Sequence, residues 1–150
     1  WAQSHVGILS GLYGILRPLD SIEAYRLEMG TKLKTIQGKN LYEFWGDKIA
    51  AELGKRLKGH KDKQVINLAT NEYFKATGNL NVSVITPIFK ELKKGKYKVI
   101  SFSAKRARGR MARYIIDNKI VDSERLKSFD CDNYSYSAER SDEQNWVFLR

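Results

Sequence analysis

The chain has 150 residues, with 27 Lys and Arg against 17 Asp and Glu for a formal charge of +10. Its 42% hydrophobic and 11% aromatic content supports a buried core and excludes a disordered chain, while 2 Pro and 11 Gly exclude collagen-like and low-complexity classes. A single Cys excludes a disulfide framework and a multi-cysteine zinc site, and no apolar run approaches the roughly 18 to 20 residues that cross a bilayer.

The chain opens on Trp1 rather than Met and lacks the basic start, apolar block and cleavage site of a secretory signal. The expectation is a truncated N-terminus, and the single Cys suits a reducing compartment. Over residues 6–13, Val6, Ile8, Leu9, Leu12 and Tyr13 fall at mixed three- and four-residue spacing, predicting a helix that Gly14 and Pro18 end. Asn40 reads as a cap for a helix over 41–57, where Leu41, Phe44, Trp45, Ile49, Leu53 and Leu57 keep the helical period and Glu52 and Arg56 are spaced as an ion pair.

Residues 65–69 form a short β-branched run that predicts a buried strand ending at the polar cluster Thr70-Asn71-Glu72. Runs at 82–88 and 97–102 flank the basic turn Lys93-Lys94-Gly95-Lys96 and predict an antiparallel pair. A helix is predicted over 104–118, a short one over 123–126 behind a Ser cap, and strands at 134–136 and 146–149 around a polar loop. Helices and strands alternate, so the predicted class is α/β, or mixed α+β, with a mixed sheet flanked by helices in one domain over 1–150.

Charge is uneven. Residues 51–113 hold 16 basic and 4 acidic side chains, so this stretch carries the whole excess. Such clustering suits a polyanion partner, because Lys and Arg displace counterions condensed on phosphates. On the predicted helix Ala104, Ala107, Met111, Tyr114 and Ile115 form a buried face and Arg106, Arg110 and Arg113 a basic stripe, which a phosphate or nearby carboxylates such as Asp117 and Glu124 would answer. The strand-to-helix junction at 103–106 adds amide donors as an anion seat.

Other candidates are polar groups near turns. Asn71, Glu72 and Lys75 follow a strand end, where catalytic groups gather in α/β sheets, or else cap a helical turn with a Glu72–Lys75 surface pair. Arg17, Asp20, Tyr25 and Arg26 lie in a Gly- and Pro-punctuated segment, as site residues or as turn chemistry with an Arg17–Asp20 or Arg26–Glu23 pair. Cys131 sits between Asp130 and Asp132, whose charges disfavour a thiolate, and reads as structural. His5 and His60 give no metal-ligand spacing, and no phosphate-binding glycine loop is present, so no metal and no cofactor is expected.

Five segments in one order resemble a known family. They are Ser10-Gly11-Leu12-Tyr13-Gly14-Ile15-Leu16-Arg17-Pro18-Leu19-Asp20, Tyr25-Arg26-Leu27-Glu28-Met29-Gly30, Phe44-Trp45-Gly46-Asp47, Asn67-Leu68-Ala69 followed by Glu72-Tyr73-Phe74-Lys75, and Ser101-Phe102 followed by Ala104-Lys105 and Ala107-Arg108-Gly109. Together they are similar to the YaaA peroxide-stress proteins. The resemblance implies a bacterial, cytoplasmic protein with a family-specific mixed α/β fold, of which this chain is the C-terminal portion. It also implies DNA binding through a basic cleft and protection against iron-dependent damage by hydrogen peroxide.

The resulting expectation is a non-enzymatic protein that binds double-stranded DNA without sequence preference. Lys105, Arg106, Arg108, Arg110 and Arg113 would contact phosphates, joined by Lys75, Arg17 and Arg26. The alternative is an enzyme acting on a nucleobase or small nucleotide ligand, with Glu72 as acid or base, Lys75 as electrophilic stabiliser beside Asn71, and Tyr73 or Tyr25 as a stacking platform. A third reading, iron handling, would need carboxylates converging from Asp20, Glu28, Asp47 or Glu72.

Overall fold

Two glycines decide how the chain begins. In the computed structural model, which describes residues 1–150, a Cβ on Gly11 would stand 2.5 Å from the Leu27 carbonyl oxygen, and Gly14 holds φ +75° with the Trp45 ring 2.8 Å from its missing Cβ. The predicted helix over 6–13 is therefore absent. A short helix α1 (Ala2–His5) precedes a hairpin of β1 (Ile8–Ser10) and β2 (Gly14–Leu16), with Ile8 opposite Leu16. The positive φ at Gly14 reverses the chain, and the helical spacing of the apolar residues is overridden. Trp45 Nε1 donates to the Gly11 carbonyl at 3.0 Å and closes the turn.

The chain folds as two compact units, one of Trp1–Lys61 with Ala69–Val82 and the other of Asp62–Leu68 with Ser83–Arg150. In the first, the helix predicted over 41–57 is two helices, α2 (Leu41–Trp45) and α3 (Lys48–Leu57). Gly46 breaks them with φ 46° and ψ −126°, a conformation no helix contains. Asn40 caps α2 as predicted, its Oδ1 accepting from the Glu43 amide at 3.0 Å, while the Glu43 carboxylate accepts from the Lys39 amide at 2.8 Å. The Glu52–Arg56 pair on α3 closes at 3.0 Å. Helix α4 (Asn71–Phe74) runs into a 3₁₀ turn at Lys75–Thr77, and the core gathers Met29, Leu41, Ile49 and Ala76.

The second unit is built on a mixed five-stranded sheet, and the fold class is mixed α/β. β3 (Gln64–Ile66) and β7 (Asn145–Leu149) flank β4 (Ser83–Lys93) in parallel, β6 (Ser135–Tyr136) adds antiparallel to β7, and β5 (Lys96–Lys98) returns antiparallel on the far end of β4. The basic turn is a two-residue hairpin loop, Lys94 and Gly95, both at positive φ as the twist of a tight hairpin demands. β5 ends at Lys98, so the return strand predicted over 97–102 is cut short, because α5 (Ser101–Asp117) starts three residues before the predicted 104–118.

The apolar faces of sheet and helix meet as the periodicities require. Ile85 and Phe89 of β4 and Trp146 and Phe148 of β7 pack against Ala104, Ala107 and Met111 of α5. Tyr114 and Ile115 join them partly buried. Phe89 stacks on Phe148 at 5.3 Å and meets Tyr134 edge-on at 5.1 Å. The helical turn predicted at 123–126 is a 3₁₀ segment, Ser123–Ser128, whose cap is Asp122 rather than Ser123, since the Asp122 carboxylate accepts from the Glu124 amide.

Candidate nucleic-acid interface

Helix α5 is anchored by three small or flexible apolar residues, Ala104, Ala107 and Met111, all buried, which lets its backbone lie close to the sheet. Its opposite side is solvated: Lys105, Arg106, Arg110 and Arg113 are exposed and Arg108 is half-buried. The predicted stripe therefore exists as geometry. Two of its members are answered by carboxylates, Arg106 by Asp132 at 3.0 Å and Arg113 by Asp117 at 2.9 Å. Glu124, the other carboxylate expected to answer the stripe, pairs with Lys127 instead, at 2.7 Å. Lys105, Arg108 and Arg110 have no acidic partner.

The start of α5 has no side-chain cap, for Ile100 occupies the capping position. The first helical bond runs from the Ala104 amide to the Ile100 carbonyl at 2.8 Å, so the free donors are those of residues 101–103 and not the 103–106 set that the predicted boundary implied. Ser103 turns its hydroxyl to the Glu91 carboxylate. Glu91 is 7% exposed and also receives Tyr134 Oη at 3.2 Å and Arg150 Nη2 at 2.7 Å. The Ser103 hydrogen bond, then the Arg150 guanidinium and the Tyr134 hydroxyl, hold its carboxyl below the usual glutamate value against the opposing effect of burial.

A cluster the sequence reading left out of the site lies on the β4–β5 hairpin. Lys94, Lys96 and Lys98 are exposed without ion pairs, and Lys93 alone reaches a carboxylate, Glu91, at 3.6 Å. The dense lysines around the two-residue turn are the signal that could have found it.

In the first unit, Arg17 is committed to Asp20 at 3.1 Å, and Asp20 accepts the Arg17 amide at 2.8 Å as well. That backbone bond, with the guanidinium behind it, lowers the Asp20 carboxyl from its usual value. Arg26 is exposed and forms no pair with Glu23. Tyr25 shares a hydrogen bond with the buried Ser10 hydroxyl and meets the Tyr13 ring edge-on at 5.4 Å.

Asn71, Glu72 and Lys75 stand on one helical turn, yet Glu72 and Lys75 do not pair. The exposed Glu72 carboxylate accepts from the Gly30 amide at 2.8 Å, its carbonyl accepts from Tyr42 Oη at 3.0 Å, and the Lys75 ammonium lies 5.0 Å from the centre of the Tyr42 ring. Burial raises the Tyr73 hydroxyl above the usual tyrosine value. Surface hollows of about 420 and 450 Å³ include none of these residues. No group of three His, Cys, Asp or Glu side chains converges as a metal site would require. Cys131 is half-buried against the core of the second unit. No helix is long and apolar enough to cross a membrane.

The chain as a whole is similar to known proteins. A family model described as peroxide stress protein YaaA matches residues 1–140. UPF0246 proteins of Teredinibacter turnerae and Psychrobacter cryohalolentis are 55% and 54% identical over 152 residues, which cover 100% of this chain and 59% and 57% of theirs. One from Pseudoalteromonas translucida is 58% identical over 153 residues, again 100% of this chain and 59% of its own. The chain thus spans less than three-fifths of the length of these relatives.

Proposed function

The chain belongs to the YaaA peroxide stress protein family, and from that premise we propose that it binds double-stranded DNA through its phosphates and limits iron-dependent oxidative damage there. One observation carries the reading: α5 keeps Lys105, Arg108 and Arg110 without carboxylate partners on the helix that also carries Arg106 and Arg113. Like charges at helical spacing destabilise a helix by a few tenths of a kcal/mol per pair, a cost that an anion relieves. Guanidinium groups match phosphate oxygens in a fork, and their contacts to the backbone carry no base preference. Arg26 and Lys75 in the first unit, both exposed and free of ion pairs, are secondary phosphate contacts, and Arg17 contributes less because Asp20 holds it.

Protection follows from the same electrostatics. Side-chain cations that neutralise phosphates release the condensed counterions, ferrous iron included, so peroxide meets less iron at the DNA. The test is fluorescence anisotropy of a labelled duplex over a salt series, for the chain and its Lys105→Ala/Arg108→Ala/Arg110→Ala variant. The expected result is a steep slope of log affinity on log salt, reduced by about 2 to 3 in the variant, since each phosphate contact contributes roughly 0.9. A flat salt dependence in the unmodified chain would overturn the reading.

A further inference from the structure

We propose that the solvated face of α5 is a track for single-stranded nucleic acid, with Phe102 as the platform on which an unpaired base stacks and Gly109 as the point where the sugar-phosphate backbone lies against the helix. Phe102 is 80% exposed, at the second position of α5. On a helix, positions three and four apart share a face, which puts Phe102 in line with Lys105 and Arg106, and these in line with Gly109, Arg110 and Arg113. An aromatic ring thus heads a row of cations about 16 Å long. Aromatic rings interleaved with positive charge are what sequence-tolerant single-strand binding uses, because every base offers a π-face and every nucleotide a phosphate.

Gly109 is the second, independent mark. It lies in the middle of a 17-residue helix, and a Cβ built on it meets nothing within 4 Å, so no packing inside the protein excludes a side chain. Glycine at such a position weakens a helix relative to alanine, and its uses include close approach of a ligand to the backbone. Here it sits between Arg108 and Arg110, neither held by a carboxylate. The α5 cations can meet the phosphates of a duplex or of a single strand, but the Phe102 seat takes a single strand, because bases stacked within a duplex leave no face open to it.

The inference rests on the reading of α5 as a phosphate-binding helix. It is tested by anisotropy with a labelled oligothymidylate, an abasic oligomer of the same length and a duplex, for the chain and its Phe102→Ala, Phe102→Trp and Gly109→Ala variants. The chain binds oligothymidylate roughly tenfold tighter than the abasic oligomer, Phe102→Ala abolishes that ratio, Phe102→Trp keeps it, and Gly109→Ala weakens both oligomers. An unchanged ratio in Phe102→Ala, or no preference for the base-bearing oligomer in the unmodified chain, overturns the stacking seat. Salt-dependent duplex binding that persists in that case leaves the phosphate reading standing, whereas absence of binding to all three probes removes both.

Discussion

The Arg150 guanidinium and the Glu91 carboxylate meet at 2.7 Å, joining the residue that follows β7 to the only buried acid of β4. Arg150 also lies 4.8 Å from the Tyr134 ring and donates to the Asp132 carbonyl at 3.2 Å, while Ser103 hydrogen-bonds the same Glu91 from the first turn of α5. One carboxylate therefore ties the end of β4 to the first turn of α5 and to the residue after β7.

That arrangement makes stability pH-dependent. The folded state holds the Glu91 carboxyl below its ordinary value of 4.5, so its charged contacts stabilise the fold fully above that pH and are lost as pH falls through the lower folded-state value. Glu91→Gln lowers stability at neutral pH by about 1–2 kcal/mol, the cost of replacing charge-assisted bonds by neutral ones beside a partly exposed arginine. In melting curves from pH 7 to pH 3, the loss on acidification is smaller in the variant than in the parent.

Two glycine substitutions have opposite signs. Gly11→Ala drives a Cβ to 2.5 Å from the Leu27 carbonyl oxygen, a main-chain atom that cannot swing aside, and destabilises by about 1–3 kcal/mol. Gly109→Ala fills open space on an exposed helix face and stabilises by about 1 kcal/mol. Chemical denaturation of the two variants checks both.

The ion pairs on α5 set which arginines are available. Asp132→Asn releases Arg106 from its 3.0 Å partner and steepens the salt slope of duplex binding by up to about 0.9, whereas Arg110→Ala, at an exposed and unpaired side chain, flattens it by a similar amount. Arg110→Ala leaves stability within about 0.5 kcal/mol, so a parallel melting curve separates lost contact from lost fold.

Glu72 separates a binding role from a structural one. Its carboxylate holds the Gly30 amide at 2.8 Å, so Glu72→Ala loosens the chain around Gly30 at a cost of about 1 kcal/mol while the salt slope of duplex binding stays unchanged. Faster hydrogen exchange of the Gly30 amide in the variant is the direct readout.

Much of the second unit was legible in the chain itself. Alternation over β4 and the helical spacing of Ala104, Ala107 and Met111 encode which face is buried, the unbroken apolar run of β7 encodes a strand buried on both faces, the lysine turn marks the hairpin, and the five ordered motifs carry the family. The helix over 6–13 and the unbroken helix over 41–57 were misread for one reason. Apolar spacing records burial, but Gly11, Gly14 and Gly46 act through backbone angles and through atoms brought near from Leu27 and Trp45, which spacing does not contain. Tertiary structure alone decided that Arg106 and Arg113 are answered by Asp132 and Asp117, that Lys105, Arg108 and Arg110 are not, and that Glu72 serves Gly30 rather than Lys75. A sequence lists the charges, but pairing depends on distances of a few ångströms between residues, and those exist only once the chain has folded.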